Sequence, residues 1–208
     1  PIDSENNKKD HGEIVLRALK EENTKLNVIA GSIGKSGDDW GVEPKYELYQ
    51  EVLKKFDSNQ KVKVFNQSWG IPEKVGSYYG KNEEEKMKAL APGSSVEEGR
   101  KLFNFYKDVV HNKDGIFIWA HGNTSTTNGN NIVYFKDAYY QAGLPHLYPD
   151  LEKGWIAVVG VKKKDGDILN KHYQNHLAYA GNAKWWAISA DAEVIDKNGT
   201  THRGSSFA

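Results

Sequence analysis

The sequence predicts an α/β domain in three layers, a mostly parallel, doubly wound sheet covered by helices on both faces. Three observations carry this. Nearly continuous apolar runs recur along the chain, as strands buried on both faces require. Segments with apolar residues at helical spacing stand between them. Strand and helix therefore alternate, the order that builds a parallel sheet through crossover helices.

Ile14, Val15, Ala18 and Leu19 share one helical face, with Arg17, Lys20 and Glu21 on another, so a helix is expected from about 11 to 22 with His11 at its start. Leu26-Asn27-Val28-Ile29-Ala30 reads as a buried strand. Pro44 opens a second helix, striped by Tyr46, Tyr49, Val52, Leu53 and Phe56, and Val62, Val64 and Phe65 form the next strand. Residues 71–93 hold Pro, Gly, paired Tyr and an acidic run, and read as a long surface excursion with a short helix around 83–89. Ser95, with Glu98 three residues on, is a capping box for a third helix striped by Leu102, Phe103, Phe105, Tyr106, Val109 and Val110. The strand Gly115-Ile116-Phe117-Ile118-Trp119-Ala120 follows, then a polar loop over 121–131 and a mixed segment to Pro149. Trp155-Ile156-Ala157-Val158-Val159-Gly160-Val161 and Trp185-Trp186-Ala187-Ile188 supply two more strands.

The 208 residues are long enough for one buried core and contain no linker that would divide it, so a single domain over 1–208 is expected. Twenty-eight basic residues balance 28 acidic ones, and no net field draws the chain to nucleic acid or an anionic membrane. Six Trp, 11 Tyr and 7 Phe favour a packed globular fold over a disordered one. Cysteine is absent, which excludes a disulfide framework and thiolate chemistry. No apolar run approaches the roughly 20 residues that span a bilayer, and the charged start Pro1-Ile2-Asp3-Ser4-Glu5 is not a signal peptide. Both ends read as cuts in a longer protein, since there is no initiator Met and the last residues stop in what should be the first turn of a helix.

The chemistry is concentrated in three short segments. Gly204-Ser205-Ser206-Phe207-Ala208 places a serine where a helix would begin, His11-Gly12 stands near the other end, and Gly122-Asn123 closes an apolar strand between them. An unactivated serine hydroxyl is a poor nucleophile, so acyl transfer needs a neutral imidazole to take its proton and return it to the leaving amine. In a parallel sheet, helices can begin at the same carboxyl edge, so residues far apart in sequence can meet there.

In the order His, Asn, Ser these segments resemble the subtilisin-like serine proteases, the subtilases, and the bacterial autotransporter branch in particular. The resemblance runs over nearly the whole chain. Gly204-Ser205-Ser206-Phe207-Ala208 is similar to the family's Gly-Thr-Ser followed by a large apolar residue and Ala, with Ser206 in the nucleophile's place. Ala120-His121-Gly122-Asn123 looks like the family's Ala-Gly-Asn, whose Asn amide donates to the oxyanion. Asn66-Gln67-Ser68-Trp69-Gly70 resembles the segment that lines the substrate cleft, where Ser68, Trp69 and Gly70 would pair with an extended peptide by strand addition. Ala142-Gly143-Leu144-Pro145, Pro149-Asp150-Leu151 and the segment from Lys153 to Val159 resemble the autotransporter proteases in the same order.

The resemblance implies a serine endopeptidase acting through an acyl-enzyme, with Ser206 as nucleophile, His11 as base and Asn123 as oxyanion donor. It implies a peptide or protein substrate, no cofactor, and a parent protein on or released from a bacterial cell surface. The sequence departs from the family at three places. His-Gly-Thr-His stands here as His11-Gly12-Glu13-Ile14, and Ala190-Asp191-Ala192 occupies the place of Ala-Pro-Gly. The family order is Asp, His, Ser, yet Asp3 is too close to His11 in sequence to leave room for the intervening strand, and Asp10 cannot reach its neighbour's imidazole. The triad Asp is therefore expected upstream of Pro1, with little or no activity in these residues alone and a sheet edge open to self-association.

Other readings are a binding module that holds peptides on a protease-like scaffold without cutting, or nucleotide binding through Gly31-Ser32-Ile33-Gly34-Lys35-Ser36. The second lacks the leading Gly of the phosphate loop, which falls at Ile29, and the segment does not run on into a helix. His172 and His176 could share a helix face, but Tyr173 stands where a metalloprotease has Glu. Asp38 with Asp39, or Asn128-Gly129-Asn130-Asn131, could hold calcium, although such turns usually hold nothing, so no metal is expected.

Overall fold

The computed structural model describes residues 5–22, 24–25, 28–29, 31, 34–36, 42–54, 64–123, 125–128, 131–134, 136–164, 167–169, 179–195, 199–206 and 208. The helices are α1 (Glu5–Glu22), α2 (Tyr46–Lys54), α3 (Glu83–Leu90) and α4 (Val96–Asn112). The strands are β1 (Gly34–Ser36), β2 (Val42–Pro44), β3 (Val64–Gln67), β4 (Ile116–Ala120), β5 (Ser125–Asn128), β6 (Asn131–Tyr134), β7 (Trp155–Lys164), β8 (Asp167–Leu169), β9 (Ala187–Asp191), β10 (Glu193–Ile195) and β11 (Thr201–Arg203).

The main sheet runs β3-β4-β7-β9 with every neighbour parallel, and β8 turns back antiparallel on the far end of β7. Helices flank it, so the chain has the α/β fold with a mostly parallel sheet that the alternation of apolar runs and amphipathic stripes requires. Gln67 pairs with Trp119 and Ala120 with Val158, which brings the carboxyl ends of β3 and β4 side by side. Whatever follows Gln67 and Ala120 therefore meets at one edge of the sheet.

The helix α4 covers one face. Its buried stripe of Leu102, Phe105, Tyr106, Val109 and Val110 meets Phe117, Trp119 and Trp155 from the strands. The Phe117 and Trp119 rings stack 6.0 Å apart, Trp119 stacks on Trp155 at 5.2 Å, and Tyr106 stands edge-on to each of these three. Offset and edge-on arrangements of this kind contribute beyond the area buried, because they align ring edges with ring faces. Much of the aromatic content of the sequence is thus gathered into a dense core under the carboxyl edge.

Several boundaries differ from the sequence expectation. The first helix starts at Glu5, so His11 lies inside α1 and not at its start. Of the expected strand over 26–30 only Val28 and Ile29 are described, and they belong to no strand. The complete capping box sits at Asn82 and Glu85, before α3. Ser95 does cap α4 through Glu98 N, but the Glu98 carboxylate turns away to accept from Tyr46 N at 2.6 Å, tying the start of α2 to α4. Residues 71–93 are not a surface excursion throughout, since Ile71, Val75, Met87, Leu90 and Ala91 are buried in the core. The polar stretch over 121–131 contains β5, which pairs antiparallel with β6 just beyond it; Ser125-Thr126-Thr127-Asn128 lacks the apolar alternation that marks a strand in sequence. Trp185 and Trp186 precede β9: Trp186 Nε1 donates to Ala142 O at 2.9 Å, while Trp185 is 77% exposed. Among the described residues no helix is long and apolar enough to cross a membrane.

Candidate active site

Two loops leave the carboxyl edge of the sheet side by side, Ser68-Trp69-Gly70 after β3 and His121-Gly122-Asn123 after β4. The end of the chain is delivered to them by the β10–β11 hairpin. The Gly204 amide donates to Ala192 O at 3.1 Å, and Asp191 Oδ1 accepts from Glu193 N at 3.1 Å to turn the chain between β9 and β10. The short carboxylate of Asp191 does locally what a turn residue does, closing a bond to the backbone two positions on.

Ser205 then locks onto the β4 loop. Its amide and its hydroxyl both donate to Asn123 Oδ1, at 2.7 and 2.9 Å, and its Oγ accepts from Gly122 N at 3.1 Å. An amide N–H can only donate, so the Asn123 atom facing Ser205 is the oxygen, and the Nδ2 donors are left to point elsewhere. Asn123 is exposed while Ser205 is 2% exposed, so the carboxamide is held from behind and presented to solvent. Ser206 reaches the other loop, where its Oγ donates to Ser68 O at 3.2 Å and Ser68 Oγ donates to Ser206 O at 3.3 Å. Asn66 Nδ2 donates to Ser68 Oγ at 3.0 Å and fixes that hydroxyl in turn. Three segments separated by up to 138 positions thus converge on one serine pair.

The family model of the subtilases, the peptidase S8 Subtilase family, matches residues 13–208. The chain belongs to the subtilase family. The matched span contains Ser68, Asn123 and Ser206 and begins two residues after His11. No curated protein matches the chain.

Of the residues singled out in the sequence of this subtilase, Ser68, Asn123 and Ser206 are brought together. Trp69 and Gly70 stand beside them, but the Trp69 indole is turned inward. Its Nε1 donates to Gln67 Oε1 at 2.6 Å, an acceptor shared with Tyr49 Oη at 3.0 Å, and its ring meets Trp119 edge-on at 5.4 Å. What this loop can present to a ligand is therefore backbone. The His11 side chain lies outside the described residues, as do Asp38, Asp39, His172 and His176. Lys35 and Ser36 fall in β1, paired antiparallel with β2, and not at the amino end of a helix where phosphate would bind. Asn128 and Asn131 are paired across the β5–β6 hairpin. Among the described residues no group of three or more His, Asp or Glu could hold a metal ion.

A second tier of residues behind this site carried no signal in the sequence. His121 is fully buried, and its Nε2 stands 3.1 Å from Ala180 O. A carbonyl can only accept, so Nε2 carries the proton and Nδ1 is the bare nitrogen, buried with no hydrogen-bond partner among the described residues. Burial holds the imidazole pKa below its ordinary value, against smaller upward pulls from the Ala180 carbonyl and from Asp137. Asp137 in turn accepts from Gly76 N at 2.9 Å, Ala138 N at 2.8 Å, Asn182 N at 2.9 Å and Asn182 Nδ2 at 3.0 Å. One carboxylate therefore ties together the segments around 76, 137 and 182, and His121 ties the last of these to the Asn123 loop.

Proposed function

We propose that the chain supplies most of the catalytic machinery of a subtilisin-type serine endopeptidase. The observation that supports this best is the pairing of Ser206 with Ser68 while the adjacent Ser205 occupies the Asn123 oxygen and leaves the Asn123 nitrogen to face elsewhere. In this reading Ser206 Oγ attacks the peptide carbonyl and forms an acyl-enzyme, which water then hydrolyses. Asn123 Nδ2 and the Ser206 amide donate to the oxyanion that develops, in a site whose donors are already oriented. The carbonyls and amides of Ser68, Trp69 and Gly70 pair with an extended substrate. His11 accepts the serine proton and returns it to the leaving amine. An Asp outside these residues orients the imidazole, because the family order calls for one before the His and none here is suitably spaced.

The finer attribution, to an exported bacterial protein of the autotransporter branch displayed on or released from the cell surface, belongs to the same proposal. It rests on the sequence segments from Ala142 to Val159.

Labelling with a fluorophosphonate tests the reaction class. With the chain extended at its amino end to supply the expected Asp, a tagged alkyl fluorophosphonate should modify Ser206, located by peptide mass mapping, and leave Ser206→Ala unlabelled. Labelling should weaken in His11→Ala and persist in Ser205→Ala. Modification that survives Ser206→Ala, or its absence under conditions that label other serine hydrolases, would turn the reading to a cleft that binds peptides without cutting them.

A further inference from the structure

One aromatic ring is slotted between two glycines, one in each of the converging loops. A Cβ placed on Gly70 would lie 2.8 Å from Tyr139 Cδ2, and one on Gly122 would lie 2.6 Å from Tyr139 Cδ1 and 2.7 Å from Cε1. The two edges of the same ring thus press against two backbones that only the absence of a side chain allows it to approach. Gly122 also has φ +135°, where any other residue would be strained. These are the loops that hold Ser206 through Ser68 O and Ser205 through Gly122 N, so the filled slot lies between the two segments that carry the serine pair.

The backbone of Tyr139 is pinned on both sides. Its amide donates to His121 O at 3.1 Å, its carbonyl accepts from Gly143 N at 2.9 Å, and it bridges Lys74 in antiparallel fashion. Ala138 and Tyr140 on either side are fully buried. The ring cannot leave by moving its segment without breaking these bonds and emptying two core positions.

We propose that Tyr139 is a specificity-determining residue: its ring fills the slot between Gly70 and Gly122 that would otherwise receive the side chain next to the attacked carbonyl, and so restricts that substrate position to small residues. The proposal rests on the peptidase reading. A peptide laid along Ser68-Trp69-Gly70 with its carbonyl at Ser206 must direct the adjoining side chain either toward this slot or into solvent. With the slot occupied, a methyl group fits against the ring edge and a phenyl ring does not. Removing the ring leaves a gap of about one aromatic side chain, with glycine backbone on both walls.

The test uses binding, so that it does not depend on turnover. N-acetylated tetrapeptides that differ only in ending with Ala or Phe are titrated by NMR into the chain and into Tyr139→Ala, with p-cresol as a probe of the gap alone. The chain is expected to bind the Ala peptide and to bind neither the Phe peptide nor p-cresol. Tyr139→Ala should bind p-cresol and gain about 10- to 100-fold for the Phe peptide, the range that burying one aromatic side chain allows. Tyr139→Leu, which keeps apolar contact in the slot should the alanine variant fail to fold, should show a smaller gain in the same direction. Binding of the Phe peptide to the unaltered chain as well as the Ala peptide, or an unchanged preference in both variants, would overturn the assignment. Entry of p-cresol with no peptide bound by any form would leave the gap real and sink the peptide-cleft reading instead.

Discussion

Ser205 Oγ lies 2.9 Å from Asn123 Oδ1 while accepting from Gly122 N, so a buried serine fixes which end of the Asn123 carboxamide faces outward. In the peptidase reading the neighbouring residue, Ser206, carries the chemistry, so the two serines have different work. Ser205→Ala should leave the Gly122 amide without its acceptor and lower stability by about 1–3 kcal/mol. Urea denaturation followed by tryptophan fluorescence measures this. Ser205→Thr keeps the hydroxyl and should lose much less; an equal loss in both would show that volume and not hydrogen bonding matters at this position.

Asn123→Ala tests the outward end of the same group. In the peptidase reading, turnover should fall with little change in KM, because the donor acts on charge that exists only in the transition state. The size of the effect is the one known for a subtilisin itself, where loss of a single oxyanion donor costs about 10²–10³ in kcat. A rise in KM at constant kcat would assign Asn123 to ground-state binding.

His121 predicts a pH dependence of stability. Its folded pKa lies below the usual 6.5 because burial disfavours the charged ring, so the unfolded chain takes up a proton that the folded chain resists. The stabilisation is fully present above about pH 6.5 and is lost as pH falls toward the depressed folded value, by at most about 1.4 kcal/mol per pH unit. Denaturation midpoints from about pH 7.5 to about pH 5 should therefore fall more steeply for the unaltered chain than for His121→Gln, which keeps a donor for Ala180 O. Parallel curves would show that other groups set the acid limit.

Asp137→Ala removes an acceptor shared by Gly76 N, Ala138 N and both nitrogens of Asn182. One buried and three part-buried donors then lose their acceptor together, and the loss should reach about 2–3 kcal/mol. Hydrogen exchange should rise at the Gly76 and Asn182 amides in particular. Unchanged protection there would mean that the surrounding packing, and not the carboxylate, holds the three segments.

The alternation of apolar runs with amphipathic stripes was enough to read the α/β class and the order of α2, β3, α4, β4 and β7, because period and length are local properties of the chain. The serine, asparagine and cleft segments were also legible, since each sits where a strand ends or a helix would begin, a position marked by Gly and small polar residues. What the sequence could not carry was any property that depends on who lies across the sheet edge. Glu98 looked like half of a capping box until Tyr46 N, 52 positions away, took its carboxylate. Asp137 and His121 looked like ordinary polar residues, yet burial and distant backbone groups give them their partners. Tyr139 carried no motif at all; its place between Gly70 and Gly122 exists only because parallel pairing of β3 with β4 brings the two loops to one edge. Local periodicity determined the alternation of strand and helix, and short motifs the candidate chemistry, whereas the orientation of Asn123, the protonation of His121 and the filling of the slot were decided by contacts between residues far apart in sequence, which no local pattern encodes.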